Sequence, residues 1–300
     1  MARDVEKNYE LVEPSPAAMI ESMRAFGYTT ATALSDIIDN SISARAKSVW
    51  LNFHWDGSRS YIAVLDDGCG MEEDVLKNAM RPGSQSRQEE RDARDLGRFG
   101  LGLKTASFSQ CRRLTVASRA KRGKTCTRMW DLGHVKQVDK WQLLKSPASG
   151  SEGILSDLDN LSSGTIVLWE CLDRIVGDAR VNDQAAHMQF LKLVDQVENH
   201  LAMVFHRYIE GTKPLLRIYM NGHDEERRVL PWDPFLESHP ATTALPVECV
   251  RCEEGTVTVA TPTLLVLIIG RVFYKEHLST AAWSGCVVGA LAVAALAYGG

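Results

Sequence analysis

The stretch SDIIDNS at residues 35–41 decides the fold class, because it lies in a segment with a clear helical repeat. The apolar residues that recur at helical spacing are Leu34, Ile37, Ile38 and Ile42. They predict a helix that begins at Thr29 or Thr30 and ends near residue 46. Asp36 and Asn40 are four residues apart, so one face of this helix presents both side chains.

The pair formed by Asp36 and Asn40 has the chemistry of a phosphate-cleaving site. A carboxylate can hold and deprotonate a water in line with a phosphate. The amide oxygen of Asn40 is a ligand type that Mg²⁺ accepts. Taken alone, the pair fits an ordinary solvated helix face better, so the neighbouring motifs must decide.

The second motif is LDDGCGM at residues 65–71, which ends a strand predicted over residues 61–65. Asp66 then lies at the strand end, where its oxygen can accept a hydrogen bond from an adenine amine. Gly68 and Gly70 permit a tight backbone and the close approach of a flat ligand. A plain turn between strand and helix explains the motif equally well in isolation.

The third motif, GRFGLGLKTAS at residues 97–107, places three glycines just before a helical stretch. Free amides at a helix start bind phosphate with the help of the helix dipole, and Lys104 adds a positive charge. The segment lacks the GK[ST] ending of a Walker loop and the βαβ frame of a dinucleotide site.

The remaining pattern alternates hairpin strands with helices. Strands are predicted at residues 49–55, 61–65, 113–119, 125–132, 165–170 and 215–220, and helices at residues 15–26, 72–80, 102 onward and 184–209. Hairpin strands with interposed helices predict an α+β fold, in which helices cover one face of a mixed sheet.

The ordered series SDIIDNS, LDDGCGM, a charged loop, GRFGLGLKTAS and GTIVLW resembles the GHKL ATPases, the superfamily of gyrase, heat-shock chaperones, histidine kinases, MutL and MORC proteins. The resemblance covers about residues 15–220 and is closest to the MORC-like and heat-shock-chaperone-like branch. It implies the Bergerat fold, a two-layer α/β sandwich with a mixed, mostly antiparallel sheet, and ATP with Mg²⁺ as cofactors.

The resemblance also assigns roles to the residues of the first motif. Asn40 matches the asparagine that holds magnesium, and Asp36 matches the general base. That base is usually a glutamate in the family. An aspartate is shorter by one methylene, which displaces the carboxylate by about 1 Å and can slow the reaction about a hundredfold. We therefore expect slow hydrolysis.

The adenine and phosphate contacts follow in the same way. Asp66 matches the aspartate that recognises adenine; the residues matched to the base pocket are Gly68, Gly70 and Met71, and Thr165 matches the threonine that supports a water there. The residues matched to the phosphate-contacting turn are Gly100, Leu101, Gly102, Leu103 and Lys104. The polar segment 81–97 matches the lid that closes over nucleotide.

The resemblance thus predicts Mg²⁺-dependent ATP hydrolysis coupled to lid closure and to homodimerisation or a domain movement. A nucleotide-gated binding module without significant turnover is the alternative. A histidine-kinase-type activity is a weaker one, because His200 and His206 follow the ATP-binding motifs instead of preceding them. The sequence does not identify the client of the protein.

Net charge and composition do not indicate a particular class of binding partner. The net charge is −4, the N-terminus has no apolar run, and the seven cysteines form an odd, irregular set, which favours a cytoplasmic protein. A basic cluster at residues 112–124 is compatible with nucleic acid, but a solvated strand edge explains it more simply.

The predicted domains are an ATP-binding domain at residues 1–222, a connector at 223–262 and an apolar C-terminal segment at 263–300. Three interpretations of the last segment stay open: a truncated or altered second domain, a membrane anchor through residues 281–299, or a buried helix. The 281–299 stretch lies near the lower length limit for a bilayer span.

Overall fold

The computed structural model describes residues 14–82, 102–233, 248–252 and 255–259. The chain divides into two compact units, Met1–Trp232 and Asp233–Gly300. The helices of the described residues are α1 (Pro16–Arg24), α2 (Thr30–Ser43), α3 (Glu73–Met80), α4 (Gly102–Gln110), α5 (Leu132–Val138), α6 (Glu152–Leu155), α7 (Gln184–Val204) and α8 (His206–Ile209). The strands are β1 (Ser48–His54), β2 (Tyr61–Asp66), β3 (Arg113–Arg119), β4 (Cys126–Asp131), β5 (Gly164–Glu170), β6 (Arg217–Met220), β7 (Glu248–Cys252) and β8 (Gly255–Val259).

The first unit is built on a six-stranded sheet with the order β4-β3-β5-β2-β1-β6. Only the β1–β6 pair is parallel, with Val49 opposite Ile218; the other four pairs are antiparallel. The sheet is therefore mixed and mostly antiparallel, as predicted.

One face of the sheet carries the main helical layer. Leu34 and Ile38 of α2 are fully buried against sheet residues such as Leu51, Val64 and Trp169. Residues of α1, α4 and α7 belong to the same core cluster. The predicted two-layer α/β sandwich is confirmed, and burial of this apolar face supplies most of the driving force for folding.

The opposite face is partly covered as well, which the sequence analysis did not predict. A short segment made of α6 and the 3₁₀ turn Ser156–Asn160 packs Leu155 and Leu158 onto Ala63, Leu65 and neighbouring strand residues. Because β2 is covered on both faces, its residues from Ile62 to Asp66 are all buried instead of alternating.

The first two described helices begin at the predicted caps. The hydroxyl of Ser15 accepts a hydrogen bond from the amide of Ala18, and that of Thr29 accepts one from Thr32. Helix α7 is shorter than predicted, because Phe205 interrupts the helical run before α8.

Apart from Asp233, the described part of the second unit is one hairpin, in which β7 pairs antiparallel with β8. It lies within the segment that the sequence analysis treats as a connector. The apolar stretch 281–299 lies outside the described residues. Among the residues that are described, no helix is long and apolar enough to cross a membrane.

Candidate functional site

Asp66 ends strand β2 in the middle of the sheet and is only 6% exposed. Its Oδ1 accepts a 2.9 Å hydrogen bond from the amide of Gly68, and its Oδ2 accepts one of 3.0 Å from the hydroxyl of Ser41. Burial raises the pKa of Asp66 to about 6, against the lowering effect of its hydrogen bonds. A carboxylate is thus held at the strand end with few protein partners.

The turn after Asp66 requires its glycines. A Cβ added to Gly68 would lie 2.8 Å from Oδ1 of Asp66 and 2.9 Å from the Cβ of Ala44. Gly70 has a φ of +66°, and a Cβ there would lie 1.9 Å from the carbonyl oxygen of Arg119. Contacts this close, with side chains at Gly68 and with backbone at Gly70, favour glycine at both positions.

Thr165 lies directly opposite Asp66 in the β2–β5 pairing. Its hydroxyl is 2.8 Å from the hydroxyl of Ser118 on β3. Ser118 also accepts a 2.8 Å hydrogen bond from the amide of Met71 and donates one to the carbonyl of Gly164. No sequence motif indicated Ser118, which connects Met71 and Thr165 around the end of β2.

Helix α2 presents Asp36 and Asn40 on one face, as the spacing predicts. The side-chain amide of Asn40 donates a 2.8 Å hydrogen bond to the main-chain oxygen of Asp36. The side chain of Asn40 is exposed, and no described residue donates a hydrogen bond to its amide oxygen. The described chain contains no cluster of three or more His, Cys, Asp or Glu side chains able to bind a metal. One amide oxygen completed by phosphate oxygens and waters suits Mg²⁺, which keeps several waters when bound.

Asp36 lies beside the N-terminus of helix α4. A Cβ added to Gly102, the first residue of α4, would lie 3.7 Å from Oδ2 of Asp36. The same oxygen accepts a 2.7 Å hydrogen bond from the hydroxyl of Tyr28, a contact the sequence analysis did not foresee. A carboxylate next to a helix N-terminus is well placed to act on a group that binds the free amides there.

Asp39, three residues after Asp36 on α2, is a third carboxylate close to the site. Burial, and to a lesser extent the charge of Asp36, raises the pKa of Asp39 to about 6. No motif in the sequence distinguishes Asp39 from a solvated aspartate.

Lys104 is buried and donates a hydrogen bond to helix α3. Its side chain is 2% exposed, and Nζ donates a 2.8 Å hydrogen bond to the carbonyl of Ala79 near the end of α3. Burial lowers the pKa of the Lys104 ammonium to about 8. Leu103 packs at the edge of the core. Gly100, Leu101 and residues 83–97 of the predicted lid lie outside the described residues.

Helix α2 connects the two ends of the site. Ser41 contacts Asp66 at the sheet, Asn40 is its neighbour in sequence, and Asp36 reaches Gly102 one turn further toward the start of the helix. The structure brings Asp36, Asn40, Asp66 and Gly102 together along one helix. The contact between Lys104 and phosphate stays a prediction.

One comparison with known proteins identifies a family model that matches part of the chain. Residues 28–165 match the family model described as histidine kinase-, DNA gyrase B-, and HSP90-like ATPase. That segment spans every described candidate residue, from Asp36 to Thr165. Together with the fold, the match supports the GHKL superfamily, whose ATPase domains bind ATP. The MORC-like or chaperone-like branch stays a prediction. No curated protein matches the chain.

Proposed function

We propose that this protein binds ATP with Mg²⁺ and hydrolyses it slowly, and that nucleotide closes the lid and drives dimerisation or a domain movement. The observation that carries the proposal is the path along α2, where Ser41 holds Asp66 at one end and Asp36 meets the N-terminus of α4 at the other. A base-binding carboxylate and a phosphate-binding helix end would thereby both be held by α2, at two positions on the helix.

At the base end, ionised Asp66 accepts a hydrogen bond from the exocyclic amine of adenine. The glycines at 68 and 70 let the flat base approach the backbone closely. The hydroxyl of Thr165, held by Ser118, supports a water that bridges to the base. Discrimination arises here because a base without that amine would deprive the buried carboxylate of one of its donors.

At the phosphate end, the amides of α4 bind phosphate oxygens and the amide oxygen of Asn40 holds the metal. Mg²⁺ supplies charge neutralisation on the phosphates. Asp36 orients a water and takes its proton as the water oxygen bonds to the γ-phosphorus. The bond between that phosphorus and the bridging oxygen breaks, and ADP and phosphate leave.

A nucleotide-gated binding module without significant turnover is the second candidate. Two observations favour it: the base is a short aspartate, and the Lys104 ammonium donates to the carbonyl of Ala79. In this case ATP binding alone would change the lid and the oligomeric state.

Two measurements on the full chain test these proposals. Calorimetry with Mg-ATP compares wild type with Asp66→Asn, which should lose most of its affinity because it lacks the carboxylate. Phosphate release compares wild type with Asp36→Ala, which should bind ATP but lose turnover. Asp195→Ala, an exposed aspartate on α7, is the matched control.

The outcomes separate the candidates. Equal turnover in wild type and Asp36→Ala would refute the assigned base. ATP binding by wild type without phosphate release favours the binding module. Sedimentation with and without a non-hydrolysable ATP analogue tests dimerisation, and an unchanged mass would remove that part of the proposal.

A further inference from the structure

Tyr28 contacts the proposed base from a segment outside the phosphate and adenine motifs. Its hydroxyl donates a 2.7 Å hydrogen bond to Oδ2 of Asp36. Burial, then the hydrogen bond and charge of Asp36, raises the pKa of Tyr28 to about 12. The phenol therefore keeps its proton at neutral pH and acts as a permanent donor to the carboxylate.

The position of Tyr28 is fixed by a buried polar network. Its carbonyl accepts a 3.3 Å hydrogen bond from the side-chain amide of Gln110, the last residue of α4. The amide oxygen of Gln110 accepts a 2.7 Å hydrogen bond from the hydroxyl of Thr30 at the start of α2. The amide of Tyr28 donates to the carbonyl of Phe26, and its ring packs on the core. Helices α2 and α4, which form the proposed phosphate end of the site, are thus hydrogen-bonded to each other next to Tyr28.

We infer that Tyr28 is a positioning residue that holds the carboxylate of Asp36 in the orientation needed to activate water, an inference that rests on the proposed ATP hydrolysis. The hydrogen bond engages Oδ2 and restricts rotation of the carboxylate. Among the described residues nothing donates to Oδ1, so that oxygen can accept a hydrogen bond from the water.

Positioning matters more for this chain than for one with a glutamate base. An aspartate has one rotatable bond fewer than a glutamate and can adjust its carboxylate position less. The position therefore depends more on the backbone and on the groups that contact the carboxylate. Misplacement by about 1 Å is enough to slow a reaction about a hundredfold. The fixed phenol offsets part of that cost by restricting where the carboxylate can point.

The test compares the full wild-type chain with Tyr28→Phe, which removes only the hydroxyl. Phosphate release should show kcat lowered about tenfold, the effect of losing about 1.4 kcal/mol of transition-state stabilisation, with KM for ATP within about twofold. The phenol contacts neither the base end of the site nor its glycines, so the calorimetric affinity for Mg-ATP should be unchanged.

Tyr219→Phe is the matched control. The Tyr219 hydroxyl also donates to a carboxylate, that of Glu225 at 3.3 Å, but on β6 at the edge of the sheet. Its kcat should equal that of wild type. Thermal unfolding of both variants shows whether either substitution acts through stability.

Each result has one meaning. A kcat for Tyr28→Phe within twofold of wild type overturns the inference and leaves ATP hydrolysis standing. If weakened ATP binding accounts for the whole loss of activity in Tyr28→Phe, Tyr28 has a structural role, and the inference is also overturned. Wild type that binds ATP but releases no phosphate overturns the hydrolysis proposal and the inference with it.

Discussion

The hydroxyl of Ser41 donates a 3.0 Å hydrogen bond to Oδ2 of Asp66 and so joins helix α2 to the end of strand β2. Both side chains are buried, Ser41 at 2% and Asp66 at 6% exposure. Because a hydrogen bond between buried groups is weakly screened by water, this contact fixes the register between the helix and the sheet. The proposed adenine end and the proposed phosphate end of the site share that register.

Substitution of Ser41 by alanine should weaken both stability and ATP binding. The variant leaves one oxygen of a buried carboxylate without its donor, which costs about 2 kcal/mol of folding stability. The hydrogen bond from Ser41 lowers the pKa of Asp66, so its loss should raise that pKa further above about 6. Less of the ionised form is then present near neutral pH, and calorimetry should show Mg-ATP affinity reduced several-fold.

Ser35→Ala on the same helix is the control for Ser41. Ser35 is also buried, but its hydroxyl donates only to the main-chain oxygen of Ala31 at 3.1 Å. Its loss should cost about 1 kcal/mol or less and leave ATP affinity intact. Equal ATP affinities for Ser41→Ala and Ser35→Ala would contradict a role for Ser41 in the base pocket.

The raised pKa of Asp66 predicts how stability changes with pH. The folded chain binds the Asp66 proton more tightly than the unfolded chain does, since the pKa rises from 3.8 to about 6. The resulting stabilisation is full below about pH 4 and is lost as the pH rises through about 6, by at most about 3 kcal/mol. Asp39 contributes in the same direction and pH range, but it is less buried and its effect is smaller.

Urea unfolding of wild type and Asp66→Asn at several values between pH 4 and pH 7 measures this effect. The difference in unfolding free energy between the two proteins should shift in favour of Asp66→Asn as the pH rises, because asparagine does not ionise. Asp39→Asn should show a smaller shift over the same range. A difference for Asp66→Asn that stays constant across the range would show that burial does not penalise the Asp66 charge.

The local features of the fold were predictable because short-range chemistry sets them. The caps at Ser15 and Thr29 and the alternation in β1 depend on residues close in sequence. The cover over the second sheet face was not predictable, since α6 is four residues long and has no clear periodicity. Its position is set by packing of Leu155 and Leu158 against distant strands.

The site follows the same division. Asp36 and Asn40 share a face because of helical spacing alone, so sequence sufficed to pair them. The hydrogen-bond partners of Asp36 and Asp66 could not be predicted from sequence, because Tyr28 and Ser41 contact them through tertiary packing. Lys104 is the clearest case, since sequence places it in a phosphate motif and the fold bonds its ammonium to a carbonyl of α3.

Gly70 gives a test of the base pocket that depends on backbone geometry alone. Its φ of +66° disfavours any side chain, and a Cβ would collide with the carbonyl of Arg119 at 1.9 Å. Gly70→Ala should therefore shift either the turn or β3, with a loss of at least about 2 kcal/mol in stability and most of the Mg-ATP affinity. Gly153→Ala is the matched control, because a Cβ there meets nothing within 4 Å and its φ is not positive. Thermal unfolding and calorimetry measure both effects, and Gly70→Ala with the stability and ATP affinity of Gly153→Ala would mean that the turn after Asp66 does not shape the base pocket.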